Sequence, residues 1–210
     1  MTTNDTVLVV IDAQRAFVDP AGSLARAYGI DEVRPSIEAL ARLRACLGRS
    51  VPGTHCVFVR SEYRPGQFTE GRLDDPLSEL CVPGYNVDCE WAVGLDARRA
   101  DAIVTKQQMD AGETDGYRAV VERAIEDGAR QIVLTGFQLT TCVRASALTT
   151  MALVRGRGPR VVVAEALAGA RASSYRPTAT GSRVEATRRE LRAAGVVLTD
   201  AFEAPAEPCA

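Results

Sequence analysis

Six short runs of apolar, mostly β-branched residues recur along the chain with helix-like segments between most of them, and this alternation constrains the fold more than any other feature. The runs are TVLVVI (6 to 11), HCVFVRS (55 to 61), AIVTK (102 to 106), QIVLTG (131 to 136), RVVVAE (160 to 165) and GVVLTD (195 to 200). Helical periodicity fits the segments near 33–48, 115–128, 142–155 and 182–194. Nearly continuous Val, Ile and Leu imply strands buried on both faces, and strand–helix–strand crossovers return right-handed to parallel neighbours. The pattern predicts a three-layer α/β/α arrangement around a parallel sheet. No linker rich in Pro, Gly or Ser divides the 210 residues, so 1–210 reads as one domain with a frayed tail at 203–210. The stretch from Arg64 to Leu95, rich in Pro, Gly, Asp and Glu, breaks the alternation. It reads as a long excursion over the sheet edge or the rim of an active site.

Composition then narrows the function. A net charge of −2 with acidic and basic residues well mixed offers no electrostatic footprint for nucleic acid or an anionic membrane. The expected partner is a small molecule or another copy of the chain. The opening MTTNDTVLVVIDAQ has no basic leader, and its apolar run ends at Asp12, too short for a signal peptide or a span, so a cytoplasmic protein is expected. Six irregularly spaced cysteines without a secretory signal argue for unpaired thiols rather than a disulfide framework.

In an open parallel sheet the ligand crevice lies outside the carboxyl ends of the strands. Asp12 ends the first run, Arg60 to Arg64 follow the second, Lys106 ends the third, and a polar segment leading to Cys142 follows the fourth. A carboxylate, an ammonium and a thiol therefore fall on one edge, although each alone has an ordinary reading as a cap, a solvated cation or a small core residue. Thr141 is a candidate N-cap, and Val143, Ala147, Met151 and Val154 recur at helical spacing behind it. That places Cys142 in the first turn of a helix, where unsatisfied N–H groups favour a thiolate. The other cysteines read as structural: Cys46 on a helix face, Cys56 in a strand, Cys81 and Cys89 in the long loop, Cys209 in the tail. The single histidine, His55, begins the second run, roughly 20 Å from its carboxyl end at 3.3 Å per residue. It is at the wrong end to serve as the thiol's base. Asp12 is then the available base, with Lys106 to stabilise the resulting anions.

Three blocks carry a family resemblance: VVIDAQRAFVDPAGSLA (9 to 25), DAIVTKQQMDAGETD (101 to 115) and IVLTGFQLTTCVRASALTTMALVRG (132 to 156). They resemble the signatures of the isochorismatase-like cysteine hydrolases, and LCVPGYNVDCEWA and GVVLTDAFE extend the likeness nearly end to end. The resemblance implies a six-stranded parallel sheet between helices and a catalytic triad of Asp12, Lys106 and Cys142. It also implies a non-proline cis peptide between Phe137 and Gln138, with the backbone amides of Gln138 and Cys142 forming an oxyanion hole. Gln14, Arg64 and Asp110 are the candidate substrate-binding residues. No cofactor is implied, and relatives of this kind form dimers or tetramers, so a homo-oligomer is expected.

Two departures bear on substrate. Nicotinamidases of the family hold a metal through an Asp-Trp-His-Pro motif after the second strand, where this chain has EYRP, Glu62 to Pro65. Arginine does not ligate zinc as imidazole does, so no metal is expected. After Lys106, Asp110-Ala111-Gly112 stands where many relatives have Ser-Ala-Phe. Arg64 is a candidate anchor for a carboxylate or polarised carbonyl, or else a rim arginine that is solvated or paired with Glu62 or Asp110. The expected activity is hydrolysis of a small carboxamide or ureido (N-carbamoyl) compound through a thioester. The alternatives are isochorismatase-type vinyl-ether hydrolysis, whose members typically lack the cysteine, and a non-catalytic α/β ligand-binding domain.

Overall fold

The structure, a computed structural model, describes residues 5–48, 53–200 and 202. The tail at 203–210, with Cys209, lies outside the described residues. The six apolar runs become β1 (Thr6–Ile11), β2 (Thr54–Ser61), β3 (Ala102–Lys106), β4 (Gln131–Phe137), β5 (Arg160–Gly169) and β6 (Val197–Thr199). All pairings are parallel, in the order β3-β2-β1-β4-β5-β6. β5 runs four residues beyond its apolar core, across a register shift between Leu134 and Gly136 of β4.

Among the described residues six α-helices cover the sheet: α1 (Arg15–Val18), α2 (Ser23–Tyr28), α3 (Ile30–Leu47), α4 (Asp115–Glu126), α5 (Arg144–Val154) and α6 (Arg183–Ala193). α1 and α2 are too short to show a period in the sequence. α6 starts at a capping box, in which Ser182 and Glu185 each satisfy the other's backbone amide,. Because side chains alternate along a strand, β1 feeds both layers. Val7, Val9 and Ile11 pack with Tyr117 and Val121 of α4, Ala147 of α5 and Leu191 of α6. Leu8 and Val10 pack with Phe17 of α1, Leu24 of α2, and Leu40 and Leu43 of α3. No helix among the described residues is long and apolar enough to cross a membrane.

The excursion from Arg64 to Leu95 is not a loose loop. Two 3₁₀ turns, Pro76–Glu79 and Val87–Cys89, are capped by the side chains of Asp75 and Asn86. The buried Asp88 carboxylate accepts from the amides of Ser23 (3.0 Å) and Cys81 (3.3 Å), which ties the loop to α2. Backbone bonds from Tyr63 to Cys81 and from Ala92 to Ala13 close it over the carboxyl ends of β1 and β2. The excursion therefore forms part of the rim of the crevice.

Candidate active site

The chain leaves β1 towards β2 and later returns to lay β4 on the other side of β1, so the topological switch point lies between β1 and β4,. Residues just past these strands build the site. Asp12 follows β1 with φ 50°, a left-handed conformation that costs a non-glycine residue about 1 to 2 kcal/mol. Its amide donates to Val59 O at 2.8 Å, which holds the turn. Gly136 explains the glycine near the end of β4. At φ 110° its missing Cβ would lie 2.0 Å from the carbonyl oxygen of Ile11, so any side chain would force β4 away from β1. The Phe137–Gln138 peptide is cis.

Asp12 and Lys106 form an ion pair with Oδ2 and Nζ 2.9 Å apart and both side chains fully buried. Nζ donates to Ser61 Oγ (2.7 Å), Tyr63 OH (3.0 Å) and Gln108 O (3.0 Å), which uses all three ammonium hydrogens. The single hydroxyl hydrogen of Ser61 goes to Asp12 Oδ1 at 2.8 Å, so the Tyr63 hydroxyl, 2.7 Å from Ser61 Oγ, donates to Ser61 in turn. Asp12 Oδ2 is left with the attraction of the ammonium but with no hydrogen bond, although it is buried. That lone acceptor is where a thiol proton can go. Burial works against the Lys106 charge, but Asp12, Cys142 and Tyr63 together outweigh it and hold the ammonium's pKa well above its usual value. Burial, with Cys142 and Asp12 adding, also raises the pKa of Tyr63, so its hydroxyl stays protonated as a donor.

Cys142 lies in a π-helical turn, Leu139–Val143, that leads into α5. The expectation that Thr141 N-caps its helix is corrected: Thr141 is inside the π turn, which Gln138 precedes with no side-chain cap. The amides of Thr141 and Val143 both donate to Gln138 O, at 3.1 and 3.2 Å, and this sets the turn. The pull of the helix terminus towards a thiolate meets an opposing effect. Burial pushes the Cys142 thiol up to about 11, against the lowering effect of Lys106 and with a further rise from Asp12. Desolvation of a sulfur anion outweighs the helix terminus, so the thiol rests neutral, with Asp12 and Lys106 both within its field.

Cys142, Gln138, Thr140, Thr141 and Tyr63 line one part of a cavity of about 330 Å³. Phe17, Leu24, Phe68, Leu77, Leu80 and Met109 supply apolar walls, and Tyr28, Arg171, Ser174 and Arg183 complete it. A cavity of equal volume at the amino ends of the strands, lined by Arg44, Thr54, Cys56 and Asp101 among others, contains no candidate site residue. His55 is at that end, with Nδ1 3.4 Å from Asp101 Oδ2.

The structure does not bring the three candidate substrate-binding residues to the cavity. Gln14 is buried with its amide bridging the backbone of Ser61, accepting from N at 2.6 Å and donating to O at 3.0 Å. Asp110 caps a 3₁₀ turn by accepting from Gly112 N at 2.7 Å, and also accepts from Thr149 Oγ1. Arg64 is exposed and absent from the cavity wall; Glu62 pairs with Arg60 instead, at 2.7 Å. Four residues the sequence reading passed over are at the site: Ser61, Tyr63, Arg171 and Arg183. Ser61 and Tyr63 were within reach of it, since residues two apart on an extended segment face the same way. That parity puts Tyr63, not Arg64, with Ser61.

A family model, the isochorismatase domain, matches residues 6–199. The chain belongs to the isochorismatase family. Members of this family are hydrolases. The chain is 29% identical over 171 residues, 81% of its length and 75% of the relative's, to the secreted isochorismatase effector Isc1 of Verticillium dahliae. Among solved structures it superposes on PnC1 of L. infantum, solved in complex with nicotinate, with a TM-score of 0.68 and 22% identity, covering 95% of this chain and 94% of that one. It superposes on the Acinetobacter baumanii nicotinamidase/pyrazinamidase with a TM-score of 0.69 and 16% identity, covering 94% and 97%. At such identities these two structures show the common fold alone. A pyrazinamidase of Pyrococcus horikoshii that shares the fold was solved in complex with zinc, but the residues here do not suit a metal. Tyr63 and Arg64 stand after β2, and among the described residues no group of three or more His, Cys, Asp or Glu side chains converges.

Proposed function

We propose that this isochorismatase-family hydrolase cleaves a small carboxamide or ureido compound through a thioester on Cys142. What supports the reading is a single arrangement: a neutral thiol on the cavity wall beside a buried carboxylate that has one unused acceptor and a fixed ammonium neighbour. As the substrate carbonyl arrives, the Cys142 proton passes to Asp12 Oδ2 and the sulfur bonds to the carbonyl carbon. The amides of Gln138 and Cys142 are assigned to the oxyanion. Asp12 then returns the proton to the leaving nitrogen, the C–N bond breaks, and the amine or ammonia departs. Water attacks the thioester with its proton going to Asp12, the acid is released, and the sulfur recovers the proton. Lys106 stays charged beside Asp12 through every step without giving up its own proton.

Acid-quenching the wild-type chain during turnover and weighing it intact tests this. A mass increase equal to the acyl group, located on Cys142 and absent from Cys142→Ala, is the expected result. A vinyl ether offers no acyl carbon, so turnover of one by Cys142→Ala would support vinyl-ether chemistry instead. The proposal includes a cytoplasmic homo-oligomer that works without a cofactor; the five cysteines among the described residues carry no disulfide. Sedimentation velocity and cell fractionation check assembly and location, the latter against a relative described as secreted.

A further inference from the structure

The cavity has a charge pattern that the reaction itself does not use. The ion pair of Asp12 with Lys106 is neutral overall and is not part of its wall. The ionised side chains on the wall are Arg171 and Arg183, and no Asp or Glu lines it. Arg171 lies two residues past the end of β5, and Arg183 opens α6. Arg171 is half-buried, Arg183 is exposed and Cys142 is buried, so the two cations sit at the outer end of a cavity whose inner end holds the nucleophile. The Arg171 guanidinium lies 4.0 Å from the centre of the Tyr28 ring. Stacking occupies the flat face of a guanidinium and leaves its in-plane N–H fork to bind a planar anion.

Nothing nearby neutralises this pair. Among the described residues neither Arg171 nor Arg183 takes part in an ion pair. Glu32 is the carboxylate that senses Arg171, but it is committed elsewhere, accepting from Ser173 N at 3.0 Å and pairing with Arg176 at 3.2 Å. Two uncompensated cations above apolar walls concentrate their field in the cavity. At the low end of the usual volume for ligand pockets, the space suits one small molecule.

These observations point to the substrate class: we infer that the substrate carries a carboxylate held by Arg171 and Arg183, an apolar body against Phe17, Leu24 and Phe68, and its amide or ureido carbonyl at Cys142. An N-carbamoyl or N-acyl derivative of an apolar amino acid has this layout, whereas a neutral carboxamide leaves both arginines without a partner. The inference rests on the cavity being the amide site, as proposed above. It transfers the anchoring role expected of Arg64 to two residues more than a hundred positions further along the chain.

The test uses the N-carbamoyl derivatives of glycine, valine, leucine and phenylalanine, each against its methyl ester, which removes the charge and keeps the shape. Binding is measured by calorimetry in Cys142→Ala, and kcat/KM by ammonia release in the wild type. At least one acid is expected to bind at least tenfold more tightly than its ester, and the preference to fall to within about twofold of unity in Arg171→Gln/Arg183→Gln. Both side chains reach solvent, so the double variant keeps the fold, and Arg171→Lys should recover part of the preference by restoring charge without the fork. Raising the salt concentration should weaken acid binding and leave ester binding unchanged. In turnover the double variant should raise KM for the acid with little change in kcat, the signature of an anchor held equally in ground and transition states. If no acid outbinds its ester, or if the preference survives in the double variant, the inference is overturned. If an arginine-dependent preference is measured while the wild type hydrolyses none of the eight compounds, the carboxylate anchor at Arg171 and Arg183 stands and the amidohydrolase proposal is the one that fails.

Discussion

Cys142 and Cys81 are both buried, both shifted to higher pKa by desolvation, and both within the field of the same Asp12 and Lys106. Yet their surroundings give them different chemistry. Cys142 lines the cavity, and the Asp12 carboxylate adds to burial in raising its pKa. Cys81 is at φ 50° inside the excursion, its sulfur turned to the carbonyl oxygen of Asp88 at 4.0 Å and its amide to the Asp88 carboxylate. It does not reach the cavity. Nearness to a charged pair does not make a nucleophile. A thiol also needs an acceptor for its proton and space in front of its sulfur for an electrophile.

The comparison is most exposed to paired removal of the two sulfurs. Cys142→Ala should lower kcat/KM for amide hydrolysis by about 10⁴-fold or more, the scale of losing a covalent nucleophile, while Cys81→Ala retains a rate near that of the wild type. Comparable losses in ammonia-release assays of the two variants would erase the distinction.

Asp12→Asn sharpens it on the stability side. The substitution strands the fully buried Lys106 charge and should cost about 3 to 5 kcal/mol in denaturant unfolding. Cys142→Ala removes no charge and should cost about 1 kcal/mol. Equal midpoints for the two variants would mean that the ammonium finds another counter-charge.

Alkaline pH separates the thiols by linkage. Cys142 in the folded chain stays protonated up to about 11 against 9.0 in its ordinary state. Above pH 9 the unfolded chain therefore binds fewer protons than the folded one, and stability falls as pH rises. Wild type should lose about 2 kcal/mol more than Cys142→Ala between pH 9 and 11. Cys81 is present in both proteins and drops out of the difference. Parallel stability curves would show that Cys142 is not desolvated.

The smallest effects are expected outside the cavity. Arg64→Ala should leave kcat and KM unchanged, since the side chain is exposed and absent from the cavity wall. Asp110→Ala should cost about 1 kcal/mol of stability through its lost turn cap and leave KM as it was. A raised KM in either variant would restore that residue to the binding site.

The sheet, the two helical layers and the grouping of Asp12, Lys106 and Cys142 on one edge were legible in the sequence. Strand-length runs of β-branched residues have few other uses, and strand ends are countable. The short helices α1 and α2 were not legible, because four and six residues cannot display a period. The substrate-binding residues were misread for a different reason. Gln14 and Asp110 are polar and near the site in sequence, but their hydrogen bonds go to backbone and to Thr149, and no local pattern tells a structural amide or cap from a ligand contact.

What the sequence determined by itself, then, was the parallel α/β architecture and which carboxylate, ammonium and thiol share one sheet edge, both written in short-range pattern and in strand-end position. Tertiary structure alone decided two things. It set the protonation of Cys142, because desolvation depends on everything packed around the sulfur rather than on the turn that carries it. It also decided which arginines line the cavity: Arg171 and Arg183 reach a wall shared with Phe17, Tyr63 and Cys142 only because the chain folds back from β5 and α6 over the end of β4, a contact between residues too far apart in sequence for any periodicity to report.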